Sequence, residues 1–87
     1  MLYKVFVTKS AEKFIYLLPK KHLEKIIGLI KDLEKQPRPV GCKKLHSYQN
    51  WYRVRYGNYR IIYSINDNLL TIEIIRIAHR KDVYKKR

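Results

Sequence analysis

Apolar and polar positions alternate from Leu2 to Thr8, in the run LYKVFVT, which is rich in aromatic and β-branched residues and predicts a strand. The spacing then turns helical. Ala11, Phe14, Ile15 and Leu18 share one face of a short helix, with Ser10 placed as an N-cap and Glu12 in the first turn. Pro19 ends it. Lys20 to about Gln36 predicts a second helix with Leu23, Ile26, Ile27, Ile30 and Leu33 as its buried stripe. Gly28 inside that helix costs ~1 kcal/mol relative to Ala, so close packing against a neighbour is expected there. The two helices are expected to pair antiparallel.

Pro37, Pro39 and Gly41 break the pattern and mark a connector rather than a domain boundary, since neither side could bury its apolar face alone. Three strands follow, at about 51–56, 59–65 and 69–78. Gly57-Asn58 and Asp67-Asn68 fit two-residue hairpin turns. The basic tail HRKDVYKKR has room for one helical turn. The expected fold is a single α+β domain over residues 1–87. It runs strand, two-helix hairpin, then three-stranded antiparallel meander, forming one sheet with the helices packed on one face.

The first turn fixes a register in which Tyr56 pairs with Tyr59 and Arg55 with Arg60. Tyr52, Val54, Tyr56, Tyr59, Ile61, Tyr63 and Ile65 then share a face suited to the helices. Arg53, Arg55 and Arg60 share the other, where like charges repel across the ladder. Carried through a two-residue turn at Asp67-Asn68, the register pairs Ile62 with Glu73. It sends Thr71, Glu73, Ile75, Ile77 and His79 to the arginine face. Solvated faces usually mix both signs. Arginines gathered with a histidine suit phosphate binding, and the imidazole adds proton transfer near neutral pH. The plain alternative is a solvated face whose arginine stems cover apolar surface.

Charge strengthens the first reading. Twenty Lys and Arg face seven Asp and Glu, a formal net charge of +13, which favours a polyanion or an acidic protein as partner. Residues 1–36 hold eight lysines and no arginine, whereas residues 37–87 hold all seven arginines and three acids. Arg offers phosphate a planar fork and Lys only a mobile point charge. The working half is therefore the second. Cys42 stands alone, without a second Cys for a disulfide or metal or a His beside it, and reads as a bystander thiol. The N-terminus has no long apolar run, so no signal peptide or membrane span is expected, and the setting is cytoplasmic.

Tyr-Arg-x-Arg-x-Gly-x-Tyr-Arg, Tyr52 to Arg60, followed by His-Arg-x-x-x-Tyr, His79 to Tyr84, resembles the RelE/ParE superfamily of type II toxins, in its RelE-like branch. The likeness covers nearly the whole chain, and the two motifs together are fairly specific. It implies the RelE-like microbial RNase fold and an endonuclease acting on mRNA in the ribosomal A site. It also implies an acidic antitoxin that holds the toxin inactive, and a toxin–antitoxin hetero-oligomer that binds its own operator DNA. By the same resemblance Arg53 and Arg55 position mRNA phosphates, Arg60 stabilises the transition state, and Arg80 stabilises it or acts as acid. Tyr84 stacks on or orients the substrate. Lys43, Lys44 and His46 grip RNA.

Some relatives place Lys where Arg53 and Arg55 stand, one of them suggested as a general base. Arg stays protonated and cannot easily take that role, so His79 becomes the candidate base. The chemistry calls for no metal or other cofactor. The RNA 2′-OH attacks the adjacent phosphate, and the enzyme aligns it, moves protons and neutralises the phosphorane. His22, His46 and His79 lie far apart in sequence, and His22 reads as a helix-surface residue. Most tyrosines fall on the core face. Tyr48, Trp51 and Tyr84 remain for base stacking, with a core or rim position equally open for Trp51. Two other functions stay in view: a ParE-like inhibitor of DNA gyrase, and a non-catalytic RNA- or ribosome-binding module.

Overall fold

The computed structural model describes residues 2–46 and 48–79. In chain order it has β1 (Lys4–Val7), α1 (Lys9–Tyr16), α2 (Lys20–Leu33), β2 (Lys43–Lys44), β3 (Trp51–Tyr56), β4 (Tyr59–Asn66) and β5 (Thr71–His79). The strands form one sheet in the order β1-β5-β4-β3-β2. β1 runs parallel to β5 and every other neighbouring pair is antiparallel. The α+β architecture expected from the sequence holds, with the helices packed on one face. The two-residue β2 is an addition: Leu45 N–H donates to the Trp51 carbonyl at 2.8 Å, drawing the basic connector onto the edge of β3.

The first helix starts earlier than expected. Thr8, not Ser10, is the N-cap, because β1 ends beside it and its extended backbone turns directly into the helix. Its Oγ1 accepts from Ala11 N–H at 3.2 Å and donates to the Ile75 carbonyl at 2.8 Å. One hydroxyl thus caps α1 and ties it to β5. Pro19 occupies the N-cap position of α2, where a missing N–H costs nothing. Ile26, Ile30 and Leu33 are buried as expected and Leu23 packs partly, but Ile27 is left outside while Leu29 packs inward. Gly28 does not mark close packing. A Cβ there would meet nothing within 4 Å.

Ala11 and Ile15 of α1 and the α2 stripe close over Tyr52, Val54, Ile61, Tyr63, Ile65, Ile72, Ile74 and Ile77. Each fully buried isoleucine contributes roughly 1.5–3 kcal/mol relative to exposure. Tyr63 is wholly buried and donates to the Pro37 carbonyl at 2.7 Å, so its hydroxyl is satisfied. Burial pushes its ionisation well above the ordinary tyrosine value.

A second tie closes the edge of the fold. Arg38 of the connector forks onto Asp67 at 2.8 and 3.4 Å, and its Nε donates to Tyr52 Oη at 3.1 Å. Tyr3 Oη donates to the same carboxylate at 2.7 Å. The Arg38 and Tyr3 hydrogen bonds hold Asp67 below the usual carboxylate range. No helix among the described residues is long and apolar enough to cross a membrane.

Candidate nucleic-acid interface

The β3–β4 hairpin has the expected register, residue by residue. Tyr56 pairs with Tyr59, Arg55 with Arg60, Val54 with Ile61 and Arg53 with Ile62. Gly57 has φ +55° at the first central position of the turn, a conformation that favours glycine. Tyr52 and Tyr63 are buried, and Tyr56 and Tyr59 pack against the core. Arg53, Arg55 and Arg60 lie on the opposite face, with the Cβ atoms of the Arg55–Arg60 pair ~5 Å apart.

The β4–β5 pair departs from expectation twice. Residues 67–70 make a four-residue turn instead of two, with Leu70 at φ 55°. The Asn66 side chain accepts from Leu69 N–H at 2.9 Å and holds this wider loop, while Arg38 and Tyr3 hold Asp67. Asn66 therefore pairs with Thr71, and Ser64 rather than Ile62 faces Glu73. Thr71 and Glu73 still reach the arginine face. The register then slips. Tyr63 pairs with Ile74 but Ile62 pairs with Arg76, leaving Ile75 as the extra residue of a β-bulge.

The bulge reverses the faces of the last four residues. Ile77 pairs with Ile61, and His79 with Tyr59, on the core face, whereas Arg76 and Ala78 join the arginine face. The placement of Ile77 and His79 beside the arginines is thus overturned. The physical reason is burial: Ile74 and Ile77 are both core residues three apart, and strict alternation cannot bury both. His79 sits edge-on to Tyr59, with ring centroids 5.1 Å apart. Tyr59 in turn lies 5.3 Å from His22, whose Nδ1 shares a 3.2 Å hydrogen bond with Tyr56 Oη. His22 is consequently a half-buried anchor of α2 against the hairpin, not a free helix-surface residue.

Arg76 is the residue that sequence reasoning missed. Its signal was the broken alternation in TIEIIRIA, where polar positions 71 and 73 are followed by 76 rather than 75. Across the sheet, Lys43 faces Arg53, Arg53 faces Ile62 and Ile62 faces Arg76, one row over four strands. At ~4.8 Å per strand this row is ~14 Å wide. Lys44 pairs with Tyr52 and so alternates to the other face, exposed at the sheet edge; His46 is exposed just beyond it. Trp51 belongs to the arginine face and stacks on exposed Tyr48, with centroids 4.0 Å apart and planes 29° off parallel. Arg80 and Tyr84 lie outside the described residues.

This arrangement offers fixed positive charge on a sheet, with a stacked aromatic pair beside it. It can neutralise consecutive phosphates and support an unpaired base. Among the described residues no three of His, Cys, Asp and Glu gather to hold a metal.

Comparison with known proteins gives a family and solved relatives. A family model described as the ParE toxin of type II toxin–antitoxin system, parDE, matches residues 5–84. Toxin RelG of Mycobacterium tuberculosis is 31% identical over 87 residues, covering 99% of this chain and 100% of its own. The chain resembles a solved archaeal RelE–RelB complex from Pyrococcus horikoshii OT3 with a TM-score of 0.83 and 33% identity, over 92% of this chain and 97% of that one. It also resembles the toxin–antitoxin complex RelBE2 from Mycobacterium tuberculosis, with a TM-score of 0.78 and 29% identity over 92% of this chain and 100% of that one.

Proposed function

The chain belongs to the ParE toxin family of type II toxin–antitoxin systems, as a RelE-like toxin, and from that premise we propose that it is a ribosome-dependent mRNA endonuclease that stops translation. The observation that carries this reading is the Arg55–Arg60 cross-strand pair with Arg53 beside it on one sheet face. Building like charges side by side costs stability, and a bound phosphate offsets that cost.

In the proposed reaction the mRNA 2′-oxygen forms a bond to the adjacent phosphorus as the bond to the leaving 5′-oxygen breaks; the 2′-hydroxyl proton passes to water, and the 5′-oxygen takes a proton from water. Arg53 and Arg55 hold the backbone so that these atoms align. Arg60 stabilises charge developing on the non-bridging oxygens. These side chains stay protonated, so they supply charge and hydrogen bonds and no base. The face reversal at the bulge argues against His79 as that base. Arg80 and Tyr84 complete the set by resemblance alone. Lys43, Lys44, His46 and the Tyr48–Trp51 stack would extend the grip on RNA.

The partner that restrains such a toxin is an antitoxin, as in the solved toxin–antitoxin complexes it resembles, and the net charge of +13 calls for an acidic one. Exposed Tyr16, Leu17 and Ile27 on the helices give it an apolar seat, and the net charge gives it fast, salt-sensitive association. A cytoplasmic toxin–antitoxin complex bound to its own operator fits the same reading.

The decisive experiment is single-turnover cleavage of mRNA on programmed ribosomes. Arg60→Ala should slow it about a hundredfold or more, the usual cost of removing one preorganised donor. Wild-type protein that leaves mRNA intact but blocks DNA gyrase would replace this reading with the ParE-like one. Binding without cleavage would leave a non-catalytic ribosome-binding module.

A further inference from the structure

We infer that Arg76 is a fourth arginine of the RNA-holding face, a positioning residue that grips a backbone phosphate next to the one met by Arg55 and Arg60. The inference rests on the RNA-cleaving reading above. Three features carry it. The bulge at Ile75 turns Arg76 to the arginine face, and the Thr8 hydroxyl holds the bulge by bonding the Ile75 carbonyl at 2.8 Å. Ile62 separates Arg76 from Arg53 in the transverse row, so the two arginines flank one apolar residue at two strand spacings, ~10 Å. Arg76 is exposed, and among the described residues it makes no hydrogen bond or ion pair. Its fork is available to a ligand.

The geometry also gives a direction. Arg55 and Arg60 sit next to the Gly57-Asn58 turn, and Ala78 follows Arg60 across to β5. Arg76 lies one pleat further from that turn, diagonal to Arg60. A chain held at Arg60 and Arg76 would cross the strands obliquely, toward β5 and away from the Lys43 edge. Glu73, an acid on this face, lies beyond the bulge opposite Ser64, where the basic half of the face ends. The alternative is that the Arg76 stem only covers Ile62 and its head is solvated.

The test measures affinity for a labelled, unstructured oligoribonucleotide across a range of salt, with wild type, Arg76→Gln, Arg76→Lys and Lys25→Gln. Lys25 is exposed on α2, so its variant removes the same charge away from the arginine face. Losing one phosphate contact to a single strand lowers the slope of log K against log salt by ~0.7, or about fourfold in affinity near physiological salt. Arg76→Gln should show both changes. Arg76→Lys should keep the slope and Lys25→Gln should match wild type. On ribosomes Arg76→Gln should raise KM severalfold with kcat within about twofold. If Arg76→Gln binds with the wild-type slope, or no more weakly than Lys25→Gln, the assignment falls while the endonuclease reading stands. If wild type neither binds nor cleaves RNA, both fall together.

Discussion

Arg60 and Ile61 are neighbours in the chain and belong to different regions of the protein. Ile61 is fully buried on the face that carries Tyr52, Val54, Tyr63 and Ile65. Arg60 is on the face that carries Lys43, Arg53, Arg55 and Arg76. On the inner face the polar atoms are matched. Tyr63 donates to Pro37, Tyr52 accepts from Arg38, and Tyr56 is bonded to His22. On the outer face, cations are set side by side where repulsion disfavours folding. The same four strands thus separate two duties. One face holds the core and the other gathers the cations.

The sharpest way to break that comparison is to truncate the two neighbours in turn. Ile61→Ala removes a fully buried side chain between β3 and β5 and should cost ~2–5 kcal/mol by denaturant unfolding. Arg60→Ala should move stability by no more than about 0.5 kcal/mol, in either direction, although it is the variant expected to lose cleavage. If Arg60→Ala unfolds as readily as Ile61→Ala, the outer face carries stability too, and its loss of cleavage would report folding instead of chemistry.

A smaller effect tests what keeps the two faces apart on β5. The Thr8 hydroxyl caps α1 and bonds the bulge carbonyl at once. Thr8→Val removes both bonds with little change of shape. A lost cap costs ~1 kcal/mol and a carbonyl left without its partner a similar amount, so destabilisation of about 1–3 kcal/mol is expected. Thr8→Ser should recover most of it. Thr8→Val at wild-type stability would mean that the bulge is fixed by burial of Ile74 and Ile77 alone.

The two hairpins also differ in how far their sequences could be read. Glycine at position 57 and seven alternating residues, three before it and four after, left one sensible register for β3 and β4, and Arg53, Arg55 and Arg60 fell where alternation put them. For β5 the turn was misjudged, because the capture of Asp67 by Arg38 and Tyr3 is a long-range event with no local signature. The parity error came from extending alternation through Ile74 and Ile75. Two adjacent isoleucines followed by an arginine are the local mark of a bulge, and reading them so would have moved His79 to the core and brought Arg76 out. Thr8 and Ser10 can both cap a helix, and the end of β1 together with the Thr8 bond to β5 selects Thr8.

The smallest expected effect belongs to the Arg38–Asp67 tie at the β4–β5 turn, which is solvent-exposed on both sides. Its sign follows from linkage. The Arg38 and Tyr3 hydrogen bonds lower the folded-state value of Asp67 below that of the unfolded chain, ~3.9. The unfolded state then binds the proton more readily. The contribution is therefore complete above that value and is lost as pH falls through the lower, folded one. Thermal unfolding measured from neutral to strongly acidic pH should show wild type losing slightly more stability than Asp67→Asn across that window. The difference should shrink in ~1 M salt, where the screening length is ~3 Å. Parallel acid curves for the two proteins would show that the tie orients the connector without stabilising the fold, and the inner face would then supply the stability without help from this tie.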